Sequence, residues 1–261
     1  MTNACLGPGD PPPVITLRRD GTAPVLVTCD HASKEVPRAL GGLGLEADAI
    51  AQHIGWDIGA ANVACGLAER LDVPAILAGY SRLVIDCNRD PDDASSIPEA
   101  SDGIAIPGNL GLLPHQRAAR RAEIFAPYHA AIAAWIETRL GRGTVPALLS
   151  IHSFTPVMAG KARPWHVGIL WDDDPRIPVP LLGSLRADPA LAVGDNQPYS
   201  AREPAGFTVR HHAVARGLPH VAIELRQDLI GDQQGAAAWA ERLAAALGPI
   251  LARAEIYFAR G

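Results

Sequence analysis

What most restricts the fold of this chain is a set of short, uninterrupted apolar runs, several of which stop abruptly at polar residues. Residues 24–29 (PVLVTC) run into Asp30-His31, 83–87 (LVIDC) into Asn88-Arg89, and 147–151 (ALLSI) into His152-Ser153. Further runs fall at 75–78, 166–171 and 221–225, the last of them (VAIEL) with Glu224 inside it. Apolar runs this short, bounded by turn signals, read as strands buried on both faces. Between them lie stretches with apolar residues at helical spacing: 57–71 with Asp57 as the expected N-cap, 114–140 with a bend at Pro127, 179–186, and a closing helix over 236–259. The alternation predicts an α/β fold, a three-layer α/β/α sandwich on a central, mainly parallel mixed sheet. The 261 residues suit one such domain, expected over 14–261, with the Pro/Gly-rich residues 1–13 as a loosely ordered lead-in.

Composition narrows the function classes. Hydrophobic residues make up 48% of the chain and charged residues 20%, enough apolar content for a large core and too much for disorder. The formal charge of -5 argues against a nucleic-acid or anionic-membrane partner. No apolar stretch approaches bilayer length and the N-terminus lacks a signal-peptide layout, so a cytoplasmic location is expected. Cys5, Cys29, Cys65 and Cys87 are widely spaced and read as buried small hydrophobes. Only Lys34 and Lys161 among the basic residues are lysines, so the arginine surplus reflects coding bias more than function.

In parallel sheets, ligands gather beyond the carboxyl ends of the strands. That rule singles out Asp30-His31, Asp86-Asn88-Arg89 and His152-Ser153. Two histidines brought to one sheet edge, with one carboxylate, form the usual protein share of a catalytic zinc site, although strand-end histidines are more often structural. Glu224 is costly to bury unless paired or functional: it either pairs with Arg226 or serves as a general base. Asn88-Arg89 can grip a carboxylate, or Arg89 can simply pair with Asp86 or Asp90. Ser33 lacks a G-x-S-x-G elbow, and Gly41-Gly42-Leu43-Gly44 lacks the pattern of a phosphate loop. The long stretch 90–113 has little periodicity, which in a compact domain points to a functional loop.

The ordered blocks VLVTCDHAS, GWDIGA, YSRLVIDCNR, IPGN, PYH, SIHSFTP, RPWHVG and IELRQDL resemble the N-formylglutamate amidohydrolase family, from about residue 24 to residue 230. The family is similar in architecture to zinc carboxypeptidases and aminoacylases, with a phosphorylase/hydrolase-like sheet. The resemblance implies hydrolysis of a small acidic N-acyl amino acid, most simply N-formyl-L-glutamate to formate and L-glutamate, with one Zn2+ ion as cofactor. It places His31 and His152 as zinc ligands, Glu224 as general base, and Asn88 with Arg89 on the substrate's α-carboxylate. Arg82 is the expected oxyanion partner, and Arg163 and Arg226 are candidates for the side-chain carboxylate. The peptidases draw a ligand from H-x-x-E, but here the third residue after His31 is Lys34. Asp57 is therefore the expected third ligand, with Glu35 and His53 as alternatives. His129 and His166 are expected to orient ligands, the Arg210-His211-His212 run can approach the cleft, and Asn109 and Tyr199 are expected in a lid. Two other readings keep the same residues: hydrolysis of another N-acyl amino acid or short peptide, and a non-catalytic metal-binding module.

Overall fold

In the computed structural model of the protein, residues 4–202 and 206–260 are described. The central sheet has seven strands: β1 (Val14–Leu17), β2 (Val25–Cys29), β3 (Ala75–Ala78), β4 (Ala147–Phe154), β5 (Val167–Leu170), β6 (Val193–Asp195) and β7 (His220–Arg226). Their spatial order is β1-β3-β2-β4-β7-β5-β6. β3, β2, β4 and β7 run parallel, as do β5 and β6, while β1 on β3 and β5 on β7 are antiparallel. The expected mixed, mainly parallel sheet is thus present.

The period-2 pleat explains why the central runs are apolar throughout. Val25, Val27 and Cys29 of β2 and Leu149 and Ile151 of β4 face one layer, with α1 (Ala60–Leu71), α4 (Pro178–Arg186) and α6 (Gln233–Leu251). Leu26 and Leu148 face the other, with α3 (Ala126–Leu140). In that second layer Ile124, Tyr128, Ile132 and Ile136 recur at helical spacing and are buried. Replacing Ile132, fully buried, with Ala costs about 2–5 kcal/mol through lost burial and the cavity left behind.

Several local expectations are corrected. Residues 83–87 form turns instead of a strand, because their backbone is held by loop and side-chain partners: Asp86 N–H donates to Ser96 O at 2.7 Å and Arg120 to Val84 O at 3.0 Å. Asp57 does not cap α1. The helix starts at Ala60 behind Gly59, whose φ of 81° and close approach to Ile230 O suit only glycine. The long helical stretch divides into α2 (Pro114–Arg120), a π turn over Arg121–Phe125, and α3. The wider turn opens the ladder just before Pro127, which has no N–H to contribute. The closing helix stops at Leu251, and β1, β6 and α5 (Phe207–His212) were not anticipated. Residues 4–13 of the expected loose lead-in are largely exposed but anchored at points: Cys5 is buried, Leu6 N–H donates to Glu123, and Tyr80 Oη donates to Pro11 O. Residues 1–3 lie outside the described residues.

Arg120 organises the irregular stretch between β3 and α2. Fully buried, it donates to Val84 O, to Asn109 Oδ1 at 2.6 Å and to Gly108 O. Asn109 in turn donates to Leu83 O and Pro98 O. Asn109 is therefore a fully buried bracket between these turns, and the expectation of Asn109 in a lid is corrected.

Candidate active site

The carboxyl ends of β2, β4 and β7 open into a cavity of about 910 Å³. β4 delivers His152, and the register of β7 sets Glu224 directly beside it. His31 follows β2 by two residues, and its carbonyl accepts the Asp57 backbone N–H at 3.0 Å, drawing the turn before α1 into the site. Free of any capping duty, the Asp57 carboxylate reaches both imidazoles: Oδ2 lies 3.3 Å from His31 Nδ1 and 2.9 Å from His152 Nδ1. The rings sit edge to face with centroids 5.3 Å apart. One ligand atom from each of His31, Asp57 and His152 falls within 4.8 Å of the others, so this buried group can hold a metal ion. Of the three candidates for the third position, the structure brings in Asp57. Glu35 is exposed with its backbone carbonyl tied to Ser81, and His53 faces Asp102 at 3.3 Å on the cavity wall.

The outer nitrogens of both rings are already committed. His31 Nε2 meets Asp86 Oδ1 at 2.6 Å, and His152 Nε2 meets Asp30 Oδ2 at 3.2 Å and Ser150 Oγ at 3.0 Å. Asp30 is itself fixed by Tyr128 Oη at 2.7 Å and Thr208 Oγ1 at 2.6 Å. A carboxylate on Nε2–H holds the proton there and leaves the Nδ1 lone pair pointing inward, which is how ligand imidazoles are oriented. Sequence reading placed Asp30 and Asp86 at strand ends without finding this role. It assigned the role instead to His129 and His166, which the structure corrects. His129 bonds Cys87 O and His212, and His166 Nδ1 accepts the Ala192 N–H.

The electrostatics favour added positive charge. Asp30, Asp57, Asp86 and Glu224 are all buried, with Arg82 the cation that touches two of them: it bonds Asp86 Oδ2 at 2.8 Å and Asp57 Oδ1 at 3.4 Å. Burial opposes ionisation of Asp57 and Asp86, but His31 beside the first and Arg82 beside the second hold both well below the usual carboxylate range. Burial raises Asp30 too, and the His152 bond outweighs it, leaving that carboxyl at about 2. Both imidazoles lose to burial and are nonetheless pushed up by the surrounding carboxylates. The same negative charge that favours protons on the rings would favour a metal ion in their place, the two competing for the Nδ1 atoms beside Asp57. Two imidazoles and a carboxylate, with open cavity beyond, match the borderline N/O set of a divalent site such as zinc.

Glu224 differs. Burial lifts its carboxyl to about 7, and its Oε2 is buried with no hydrogen-bond partner among the described residues. It does not pair with Arg226, which turns to Asp228 (2.8 and 3.2 Å) and Pro164 O. Arg226 is therefore absent from the cavity wall, and so is Arg163, which stacks behind Tyr199 and donates to its hydroxyl at 3.0 Å. Arg226 is thus spent on Asp228, and Arg163 stands one layer back, bonded to the cavity-lining Tyr199 and Thr155. Asn88, Arg89, Tyr199, Arg202 and Arg210 do line the cavity. Asn88 Oδ1 accepts the Thr208 N–H at 3.0 Å, anchoring α5.

A buried N/O donor set beside one desolvated carboxylic acid, at the carboxyl edge of a mixed sheet, is the equipment of a water-activating hydrolase. A sequence model of the N-formylglutamate amidohydrolase family matches residues 23–231, and the chain belongs to that family. An N-formylglutamate deformylase of Pseudomonas aeruginosa is 28% identical over 255 residues, covering 91% of this chain and 93% of its own. A gene product of Agrobacterium tumefaciens, known from its crystal structure, is 36% identical, with a TM-score of 0.91 over 95% of this chain and 98% of its own. An N-formylglutamate amidohydrolase from Ralstonia eutropha, 19% identical with a TM-score of 0.54 over 92% and 97% of the two chains, shares the fold. Among the described residues no helix is long and apolar enough to cross a membrane.

Proposed function

We propose that this protein is a zinc-dependent cytoplasmic amidohydrolase that cleaves N-formyl-L-glutamate to formate and L-glutamate. The observation that carries this reading is the placement of Glu224, with its unpartnered Oε2, beside the His31–Asp57–His152 set in one cavity. A binding module has no use for a desolvated acid at that point, whereas a hydrolase needs a proton carrier there.

His31, Asp57 and His152 would hold the ion, and a divalent cation supplies Lewis-acid polarisation of the acyl carbonyl and acidification of a water. Glu224 accepts a proton from the attacking water. It returns that proton to the amide nitrogen as the C–N bond breaks, and a carboxyl near neutral pKa suits both transfers. Arg82, held by Asp86 and Asp57 and facing the cavity, stabilises the developing oxyanion. Asn88 and Arg89 fix the α-carboxylate, and the Asn88 backbone N–H bond to Asp86 Oδ1 at 2.8 Å couples that grip to His31.

The test is formate release from N-formyl-L-glutamate by the metal-loaded protein, with metal content measured on the same sample. Bound zinc with no hydrolysis of any N-acyl amino acid would overturn the enzyme reading. A second reading has one observation in its favour: the cavity is at the roomy end for small-molecule sites, and Phe154, Met158, Leu170, Trp171 and Val209 form an apolar wall. Those features favour turnover of larger N-acyl amino acids by the same residues.

A further inference from the structure

We propose that Arg210 is the residue that reads the side-chain carboxylate of the substrate and so makes the enzyme selective for dicarboxylic N-acyl amino acids. The inference rests on the amidohydrolase reading above and adds to it the origin of acid specificity.

The chain carries a net charge of -5, and Asp57, Asp86 and Glu224 face the cavity, so an acidic substrate requires local cations. Four arginines line the wall: Arg82, Arg89, Arg202 and Arg210. Arg82 is neutralised by Asp86 and Asp57. Arg89 stands beside Asn88 in the α-carboxylate grip. Arg202 lies over the Trp171 ring, 5.8 Å from its centroid. Arg210 is solvent-exposed, lines the cavity, and carries no ion pair or side-chain hydrogen bond with any described residue.

Its mounting is rigid, which distinguishes it from a stray surface arginine. In α5, Phe207 stacks on His211 at 4.7 Å and Thr208 bonds Asp30, while His212 stacks on His129 at 5.2 Å. Arg216 covers the closing turn by donating to the His211 and His212 carbonyls. Asn88 clamps the opening turn through both its backbone and side-chain oxygens. Those contacts use four of the six residues and leave Val209 and Arg210 to line the cavity. The helix fixes where the Arg210 side chain starts, and its guanidinium, not bonded to another described side chain, is available to pair with a carboxylate in the cavity. The same helix buttresses Asp30, and hence His152, so the acid reader and the proposed metal ligand share one support.

The experiment compares kcat/KM for N-formyl-L-glutamate and its neutral isostere N-formyl-L-glutamine in wild type, Arg210→Met, Arg210→Lys and Arg202→Met. The expected result is that Arg210→Met lowers the glutamate/glutamine ratio by on the order of ten- to a hundredfold, the range for losing a charged hydrogen bond. The loss should appear mainly in KM, with partial recovery in Arg210→Lys and the ratio retained in Arg202→Met. A wild-type ratio that survives Arg210→Met, or that collapses in Arg202→Met instead, overturns the assignment. Should wild type hydrolyse neither compound, the amidohydrolase reading fails first, and the two failures are told apart by that control. Arg210 is exposed, so circular dichroism is expected to show a folded variant.

Discussion

Replacing Asp30 with Asn tests whether the inner nitrogen of His152 is set from outside. Asp30 is buried and accepts from Tyr128 at 2.7 Å, Thr208 at 2.6 Å and His152 at 3.2 Å. An amide of the same shape has one acceptor oxygen. If that oxygen stays with Tyr128 and Thr208, the NH2 confronts His152 Nε2, and the ring must move its proton to Nδ1, the atom facing Asp57. Reversing that tautomer costs one charge-assisted bond, about 1.5–3 kcal/mol, or roughly ten- to a hundredfold in metal affinity. If the amide flips, His152 is spared, but two buried hydroxyls lose their acceptor at about 1–3 kcal/mol of stability. The assay is therefore paired: zinc affinity by competition with a chelator, and urea unfolding of the metal-free protein. We expect Asp30→Asn to lose on at least one axis and Asp57→Asn, at a proposed ligand, to lose more affinity than Asp30→Asn. A variant with wild-type affinity and wild-type unfolding midpoint would refute the reasoning.

Other perturbations have distinct outcomes. Glu224→Gln should retain bound metal while kcat falls by about 10²–10⁴, checked by metal analysis and steady-state kinetics. Because the base acts deprotonated, wild-type kcat/KM should fall on acidification, with the limb near pH 7, where burial, opposed by the His152, His31 and Arg82 charges, leaves the Glu224 carboxyl. His212 is buried and pushed down to about 3, chiefly by burial and then by His129, so its unfolded form binds the proton first. Stability from that neutral ring is intact above the unfolded value of about 6.5 and is lost as pH falls towards 3. Relative to His212→Leu, wild type should lose about 2 kcal/mol between about pH 6.5 and about pH 4.5, read from urea curves. Chelation should abolish hydrolysis, and re-addition of zinc should restore activity and raise Tm with ion concentration.

Legibility in the sequence followed the range of the interactions. Strand-end histidines are visible because short apolar runs are local patterns, and parallel strands carry their ends to a common edge. The adjacency of His152 and Glu224 is not local: it depends on the register between β4 and β7, whose paired residues lie far apart in the chain. Asp57 illustrates a misleading local cue. A carboxylate ahead of a helix normally caps it, yet Gly59 starts α1 and releases Asp57 for the site. The arginines failed for the same reason in reverse. Arg226 shares a strand face with Glu224 by parity, but Asp228, two residues on, captures it at the strand end. Arg210 lies in a six-residue helix too short to leave a periodic trace, although the Arg-His-His run marked it as a segment near the cleft.

The buried guanidinium of Arg120 has a consequence for how the cavity rim withstands change. Val84 and the Gly108-Asn109 pair come from two separate turns with no ladder to join them, and one side chain supplies the donors that a neighbouring strand would have offered. The rim thus has a keystone in place of a lattice. Arg120→Lys would let the wall slacken as a unit, because one ammonium nitrogen cannot take the place of the two guanidinium nitrogens that reach Val84 and Asn109 on one side and Gly108 on the other.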